Sequence, residues 1–225
     1  SVFANIADAF EPQNRTDPET GEFIGPQTSD AMEFGIKFDG LYDGKLSGSV
    51  AAFEIQKNNV FRSDYNPVTF VSDQAVTNDE SKGFEFELFY NPTDNWNIVA
   101  AYSYIDAQVV GDVATGLPLE GATPNRFTLF NSYTVQEGPL EGARFGGGLV
   151  WADGPIPQFG NIANRFVTED GYTTFDLFVR FPANIGGRDV TFGINIDNVT
   201  DEIFVRSRAA TNEARQILFS VSTDL

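Results

Sequence analysis

The chain contains no cysteine and no histidine, a single methionine, and only 14 Lys and Arg against 32 Asp and Glu, for a formal charge of −18. These gaps remove whole classes of chemistry. A Ser-His-Asp triad, a thiolate nucleophile, a zinc site of the usual ligands and a disulfide framework are all excluded. Phosphate binding needs clustered Lys and Arg, so a nucleic-acid partner is not expected. No run reaches the roughly 18 apolar residues of a membrane helix, and the helical period is almost absent. Ser1-Val2-Phe3-Ala4-Asn5 shows no basic stretch followed by an apolar one, so no signal peptide is read there. The chain also starts without Met, in what reads as mid-strand, as a mature or truncated product would. No cofactor is expected.

What is present is aromatic and alternating. Of the 225 residues, 22 are Phe and 14% are aromatic, a composition of folded chains rather than disordered ones. Period two dominates. Phe34, Ile36 and Phe38 alternate with Glu33 and Lys37, and Phe84, Phe86, Leu88 and Tyr90 with Glu85 and Glu87. Trp96, Ile98, Ala100, Tyr102 and Tyr104 share a face. Phe175, Leu177, Val179 and Phe181 oppose Thr174, Asp176 and Arg180, and Val190, Phe192, Ile194 and Ile196 oppose Asn195 and Asp197. Ile217, Phe219 and Val221 close the series. Ala51, Phe53 and Ile55 alternate less cleanly with Glu54 and Gln56, which are assigned with Glu33 and Lys37 to one inward polar set. With segments near Phe127–Tyr133, Phe145–Trp151 and Ser1–Phe10, the expected count is ten strands.

The expected connections, at 11–29, 40–44, 58–79, 91–95, 109–122, 135–142, 154–170, 183–187 and 200–212, alternate long and short. The short ones carry turn residues such as Tyr42-Asp43-Gly44 and Asn184-Ile185-Gly186-Gly187. In an antiparallel meander this puts all short turns at one end, as in an outer-membrane barrel. Aromatics toward strand ends (Phe10, Tyr90, Trp96, Tyr104, Tyr133, Trp151, Tyr172, Phe181) read as two interfacial girdles. A soluble sandwich with a Phe-rich core alternates equally well; loop asymmetry and girdles favour the barrel.

Candidate chemistry is sparse. Glu85 and Glu87 stand roughly 7 Å apart on one strand face, near a catalytic carboxylate spacing, but alternating charge is more often a wet face. Asp197, Asp201 and Glu202 lack the spacing of a calcium loop. Gly146-Gly147-Gly148 lies in a strand and reads as a place for bending or close approach. The long loops supply the candidate anionic-ligand contacts Arg62, Tyr65, Phe159, Arg165, Arg206 and Arg208, with pairing to nearby Asp and Glu, or to lipopolysaccharide phosphates, as the alternative for the arginines. Neither catalytic nor metal residues are assigned.

A set of short stretches runs along the chain: Ala9-Phe10-Glu11-Pro12-Gln13, Glu33-Phe34-Gly35-Ile36-Lys37, Ala52–Val60, Gly83-Phe84-Glu85-Phe86-Glu87 and Asn95-Trp96-Asn97-Ile98. Ala101-Tyr102-Ser103-Tyr104, Pro124-Asn125-Arg126-Phe127, Tyr172-Thr173-Thr174-Phe175-Asp176 and Ile194–Asp201 follow in order. In these stretches the sequence resembles the C-terminal part of a TonB-dependent outer-membrane receptor, of the ferric-siderophore type. The resemblance implies an all-β, antiparallel up-and-down transmembrane β-barrel, of which residues 1–225 are about ten strands out of roughly 22. The N-terminal plug and earlier strands are not in this sequence. The implied function is energised import of a scarce nutrient, a ferric siderophore, through the outer membrane of a Gram-negative bacterium. TonB would act through the absent N-terminal part, and lipid and lipopolysaccharide would surround the barrel. The family's last strand usually ends in an aromatic residue, whereas this sequence ends Thr223-Asp224-Leu225. Two alternatives stand beside this reading: a self-contained ten-stranded pore or barrel enzyme, and a soluble β-sandwich binding module.

Overall fold

The alternation of bulky and polar side chains becomes, in the computed structural model, one continuous antiparallel sheet. The structure describes residues 1–66, 71–111, 115–156, 170–207 and 210–223. The strands are β1 (Val2–Glu11), β2 (Gln27–Gly40), β3 (Leu46–Asn66), β4 (Val71–Thr93), β5 (Trp96–Val110), β6 (Asn125–Thr134), β7 (Arg144–Ala152), β8 (Tyr172–Ile185) and β9 (Arg188–Asp197). A small ribbon of β10 (Val205–Ser207) and β11 (Ala210–Thr211) precedes β12 (Gln216–Thr223). The main sheet has ten strands in the order β1-β2-β3-β4-β5-β6-β7-β8-β9-β12. Each strand pairs with the one before it in that order, and among the described residues β1 and β12 are the two edges of the sheet.

Cross-strand register shows which side chains share a face. Ile36, Val50, Phe86, Tyr102, Phe127 and Trp151 are successive partners and form one apolar row. Phe175, Leu177 and Val179 lie on the same face, opposite Leu149, Gly147 and Phe145. Among the described residues nothing covers this face. Phe34, Leu177, Ile217 and Phe219 keep 59%, 50%, 55% and 72% of their surface exposed. Among the described residues the buried apolar side chains are mostly alanines, with Val109, Leu117 and Ile156. A sandwich would bury its large apolar residues against a second sheet; here they form an outward face.

Register also corrects two assignments. Glu33 pairs with Phe53, and Met32 with Glu54, so Phe53 lies on the inward face and Glu54 and Gln56 on the outward one. The reason is position along the strand. Above Ala52 and Phe84 the outward face leaves the apolar band, and Glu54, Lys82 and Asp106 share one charged row there. Lys82 Nζ lies 3.0 Å from Glu80 and 3.8 Å from Glu54. Tyr172 likewise is not in the outer girdle. It pairs with Ala152 in the row of Arg126, on the inward face.

The connection expected at 58–79 is mostly strand. β3 has 21 residues and β4 has 23. At ~3.3 Å per residue β3 reaches roughly 70 Å, whereas a ~25 Å apolar band crossed at ~45° needs roughly 35 Å. About half of this hairpin therefore stands clear of the membrane. Water bathes both of its sides there, so its sequence need not alternate. A bulge after Lys57, with Asn59 at φ 58°, resets its register. Loop 12–26 leans on its outer side: Gln13 donates to the Asn59 carbonyl at 2.8 Å, and the Arg15 guanidinium lies 5.2 Å over the Phe61 ring. β5 likewise runs on to Val110, where the returning chain pairs with it through Leu117 and Leu119.

The opposite end is tight. Tyr42 and Asp43 both take left-handed angles, a twist-matched reversal between β2 and β3. Gly186 and Gly187, at φ 63° and 82°, do the same between β8 and β9.

Candidate functional site: the polar inner face

Opposite the apolar face, every strand from β2 to β9 presents polar or small groups. Gly35, Ala51, Glu85, Ser103, Arg126, Ala152 and Tyr172 make one row. Lys37, Ser49, Glu87, Ala101, Thr128, Val150 and Thr174 make the next. A shallow depression of about 170 Å³ opens between Glu85, Glu87, Ser103, Arg126 and Thr128. Ser103 separates Glu85 from Arg126, two ladder spacings or about 9.5 Å. Among the described residues neither Glu85 nor Glu87 has a cationic partner within ion-pair distance. They form an open, acidic stretch of wall.

Glycines on this wall let rings lie flat against it. Gly83 faces Phe53, and a Cβ at Gly83 would stand 2.8 Å from the Phe53 ring. Gly146 faces Phe178 in the same way, so what approaches the Gly146-Gly147-Gly148 stretch is the neighbouring strand's own ring.

Toward the long-loop end a cleft of about 370 Å³ is lined by Arg126, Tyr172, Thr174, Asp176, Phe204 and Gln216, among others. Tyr172 and Phe204 stack at 3.5 Å and 6°. Arg126 Nη1 donates to the Tyr172 hydroxyl at 3.2 Å. One buried side chain ties this end together. Asn198, at φ 52° and 6% exposed, donates through Nδ2 to the carbonyls of Glu202 and Glu213, at 2.8 and 3.2 Å. Its Oδ1 accepts from the Glu202 amide at 2.9 Å, and its own amide donates to Asp176 Oδ1 at 2.7 Å. Asp201 Oδ1 accepts from the Arg215 amide at 2.8 Å. The Asp197–Glu202 stretch is thus a loop clasp, and no group of three metal-ligating side chains occurs among the described residues.

The outward face completes the picture. Trp96 Nε1 donates to Asn131 Oδ1 at 2.6 Å, which satisfies a polar group set among apolar ones. Near the other end the Tyr102 hydroxyl donates to Asn125, which in turn donates to Asp153, both at 2.6 Å. Rings with a polar tip at both margins of an apolar band are the mark of a membrane interface.

Residues 1–199 match the family described as TonB dependent receptor-like, beta-barrel. The chain belongs to the TonB-dependent receptor β-barrel family. It is 31% identical over 202 residues to the metal-pseudopaline receptor of Pseudomonas aeruginosa, covering 89% of this chain and 27% of that receptor. It is 27% identical over 216 residues to the ferric-pyoverdine 358 receptor of Pseudomonas putida, covering 94% of this chain and 25% of that one. The ferric preacinetobactin receptor of Acinetobacter baumannii superposes over 100% of this chain and 34% of its own, with a TM-score of 0.78 and 22% identity. This receptor chain therefore spans about a quarter to a third of each of these three proteins. Its place is the outer membrane of a Gram-negative bacterium, in a family of transport receptors rather than enzymes.

Of the expected ligand contacts, the receptor's Arg62 has its side chain described. Its Nε donates to Thr77 at 2.9 Å and its Nη2 meets Asp79 Oδ1 at 2.5 Å, inside the projecting hairpin. Phe159, Arg165 and Arg208 lie outside the described residues, as do the side chains of Tyr65 and Arg206. Sequence reading missed the Arg126–Tyr172–Phe204 cleft. Its one signal was Arg126 within Pro124-Asn125-Arg126-Phe127, where register turns Arg126 inward and its neighbours outward.

Proposed function

We propose that this chain is the C-terminal portion of a receptor that imports a chelated metal, in the first place a ferric siderophore, with energy drawn through TonB. The observation that carries this reading is an open sheet with a bare apolar outer face, a charged inner face and two unpaired edges. Such a sheet is complete only as part of a larger closed barrel. The remaining strands, and a domain filling the lumen, belong to the polypeptide outside these residues. The relatives named above are receptors for metal-pseudopaline, ferric pyoverdine and ferric preacinetobactin, which supports a metal chelate as cargo here. The chain contributes wall and loops and carries out no catalysis. Its outer loops, with Arg62, Tyr65, Phe159, Arg165, Arg206 and Arg208, are the side from which an anionic chelate is met. Lipid surrounds the apolar band, and lipopolysaccharide surrounds its outer margin.

The test is uptake by the native receptor. Cells lacking the gene should fail to grow on, and to accumulate iron from, one or more ferric siderophores under iron limitation, and the gene should restore both. The native chain extracted in detergent should have a mass about three to four times 24.7 kDa, as the quarter to a third coverage of relatives requires. A detergent-extracted native chain near 24.7 kDa would overturn the reading in favour of a small pore.

A further inference from the structure

One amide interrupts the outward apolar face of β6. Phe127, Leu129, Asn131 and Tyr133 alternate toward lipid there, and of the four only Asn131 is an amide. Its cross-strand row is otherwise apolar: Ile98 precedes it, and Gly147, Leu177, Ile196 and Ile217 follow. Asn131 is exposed on this face. Trp96 Nε1 donates to its Oδ1 at 2.6 Å. An indole nitrogen only donates, so this bond fixes which way the amide is turned. The Nδ2 group, with two N–H donors, has no acceptor among the described residues. Gly147, the β7 partner of Asn131, has no side chain to cover that group. Leu177 leans over the glycine from β8, where a Cβ would stand 3.0 Å from its Cδ2.

Depth decides what can answer these donors. Trp96 and Tyr133 are cross-strand partners at the tight-turn margin, and rings with a polar tip settle at headgroup level. Asn131 stands two residues further into the band along β6. At ~3.3 Å per residue and ~45° of tilt it lies roughly 5 Å deeper. That is the boundary between headgroups and acyl chains, where an unanswered amide is costly. The acceptors at that level are the ester carbonyls that join acyl chains to glycerol. Short turns are periplasmic in such barrels, so the leaflet is the phospholipid one. The surroundings also select against a charged group. Trp96, Tyr133 and Phe145 form the margin row without a Lys or Arg among them, whereas a phosphate is best met by a cation.

We propose that Asn131, turned by Trp96 and left open by Gly147, binds the glycerol ester of one phospholipid in the periplasmic leaflet. The ester carbonyl accepts from Nδ2, and the acyl chains run along the apolar face beside Leu177. A neutral donor that reads an ester is indifferent to the headgroup. The inference stands on the membrane-spanning sheet and not on the identity of the cargo.

The experiment uses the full-length receptor in detergent, titrated with phospholipid and followed by native mass spectrometry. For the tightest-bound lipid, diester phosphatidylethanolamine and diester phosphatidylglycerol should bind equally. The diether analogue of either should bind about tenfold more weakly, the worth of one hydrogen bond. Asn131→Leu, which keeps the face apolar, should bind diester lipid as weakly as the wild type binds diether lipid, and should no longer tell the two apart. Equal affinity of the wild type for diester and diether lipid would overturn the proposal. So would binding that follows an anionic headgroup, since the site would then belong to a phosphate. A dimer that dissociates on Asn131→Leu would overturn it as well, because the amide would then face a second copy. A receptor that discriminates the ester but imports no chelate would leave the lipid site standing and remove the import reading.

Discussion

At the residue scale, one asparagine carries more structure than its size indicates. The Asn198 side chain closes the final long connection by bonding to chain positions up to 15 residues away, from a left-handed backbone position. Replacing it with Ala removes three side-chain hydrogen bonds in a buried place and strains the backbone. Asn198→Ala should cost about 2–4 kcal/mol, read as a lower melting temperature of the full-length receptor and faster proteolysis within 198–215. Asn198→Gly should recover only the backbone share, because Gly tolerates the angle but makes no bonds. Arg62 makes a second local prediction. Arg62→Ala leaves the largely buried Asp79 carboxylate unpaired, at a cost of about 2 kcal/mol, and should open the projecting hairpin to protease while the barrel melts as before. The Asn198 bonds escaped sequence reading because a side chain bonding to distant carbonyls leaves no period in the sequence, whereas pairing of Arg62 with a nearby acid was one of the two readings its sequence allowed.

At the scale of elements, the two faces of a strand make opposite demands. Leu177 faces out at mid-strand on β8, and Thr174 faces in. Leu177→Arg should destabilise the receptor by about 2–4 kcal/mol when unfolded from lipid, whereas Thr174→Arg should stay near neutral. Equal losses at both positions would mean that the faces are misassigned. The ten strands were legible because each alternation, from Phe34–Phe38 to Ile217–Val221, crosses a medium that is apolar on one side and wet on the other. Where that medium ends, the signal ends. Glu54 and Gln56 were placed inward because polar side chains inside the membrane belong to the lumen; just above the band the same rule no longer holds. The hairpin beyond Asn58 read as a loop for the same reason. The cross-strand meeting of Arg144 on β7 with Arg180 on β8 was invisible in another way. Arg180 alternates correctly within β8, but its meeting with Arg144 depends on register between strands, which no single segment encodes.

At the scale of the whole molecule, edges decide behaviour. Among the described residues β1 and β12 are the edges of the sheet, and a sheet edge is a template for irregular pairing. The 225-residue chain reconstituted alone should therefore aggregate or insert irregularly. Planar-bilayer recordings should show no discrete, long-lived conductance, and a uniform stable channel would contradict the open-sheet architecture. The last two stretches of the family resemblance show how far apart in sequence a shared job can lie: Asp176 of one accepts the Asn198 amide of the other. The two tryptophans also divide the molecule, although neither was placed for that purpose. Trp96 follows the tight turn between β4 and β5, and Trp151 precedes the long connection after β7, both on the outward face. They sit at opposite margins of a band about 25 Å deep. Each fluoresces against its own leaflet, so brominated lipid confined to one leaflet would dim one emitter and spare the other. Inserted from the short-turn side, Trp151 must cross the bilayer and Trp96 need not, and the order in which the two signals change becomes a clock for strand translocation during assembly.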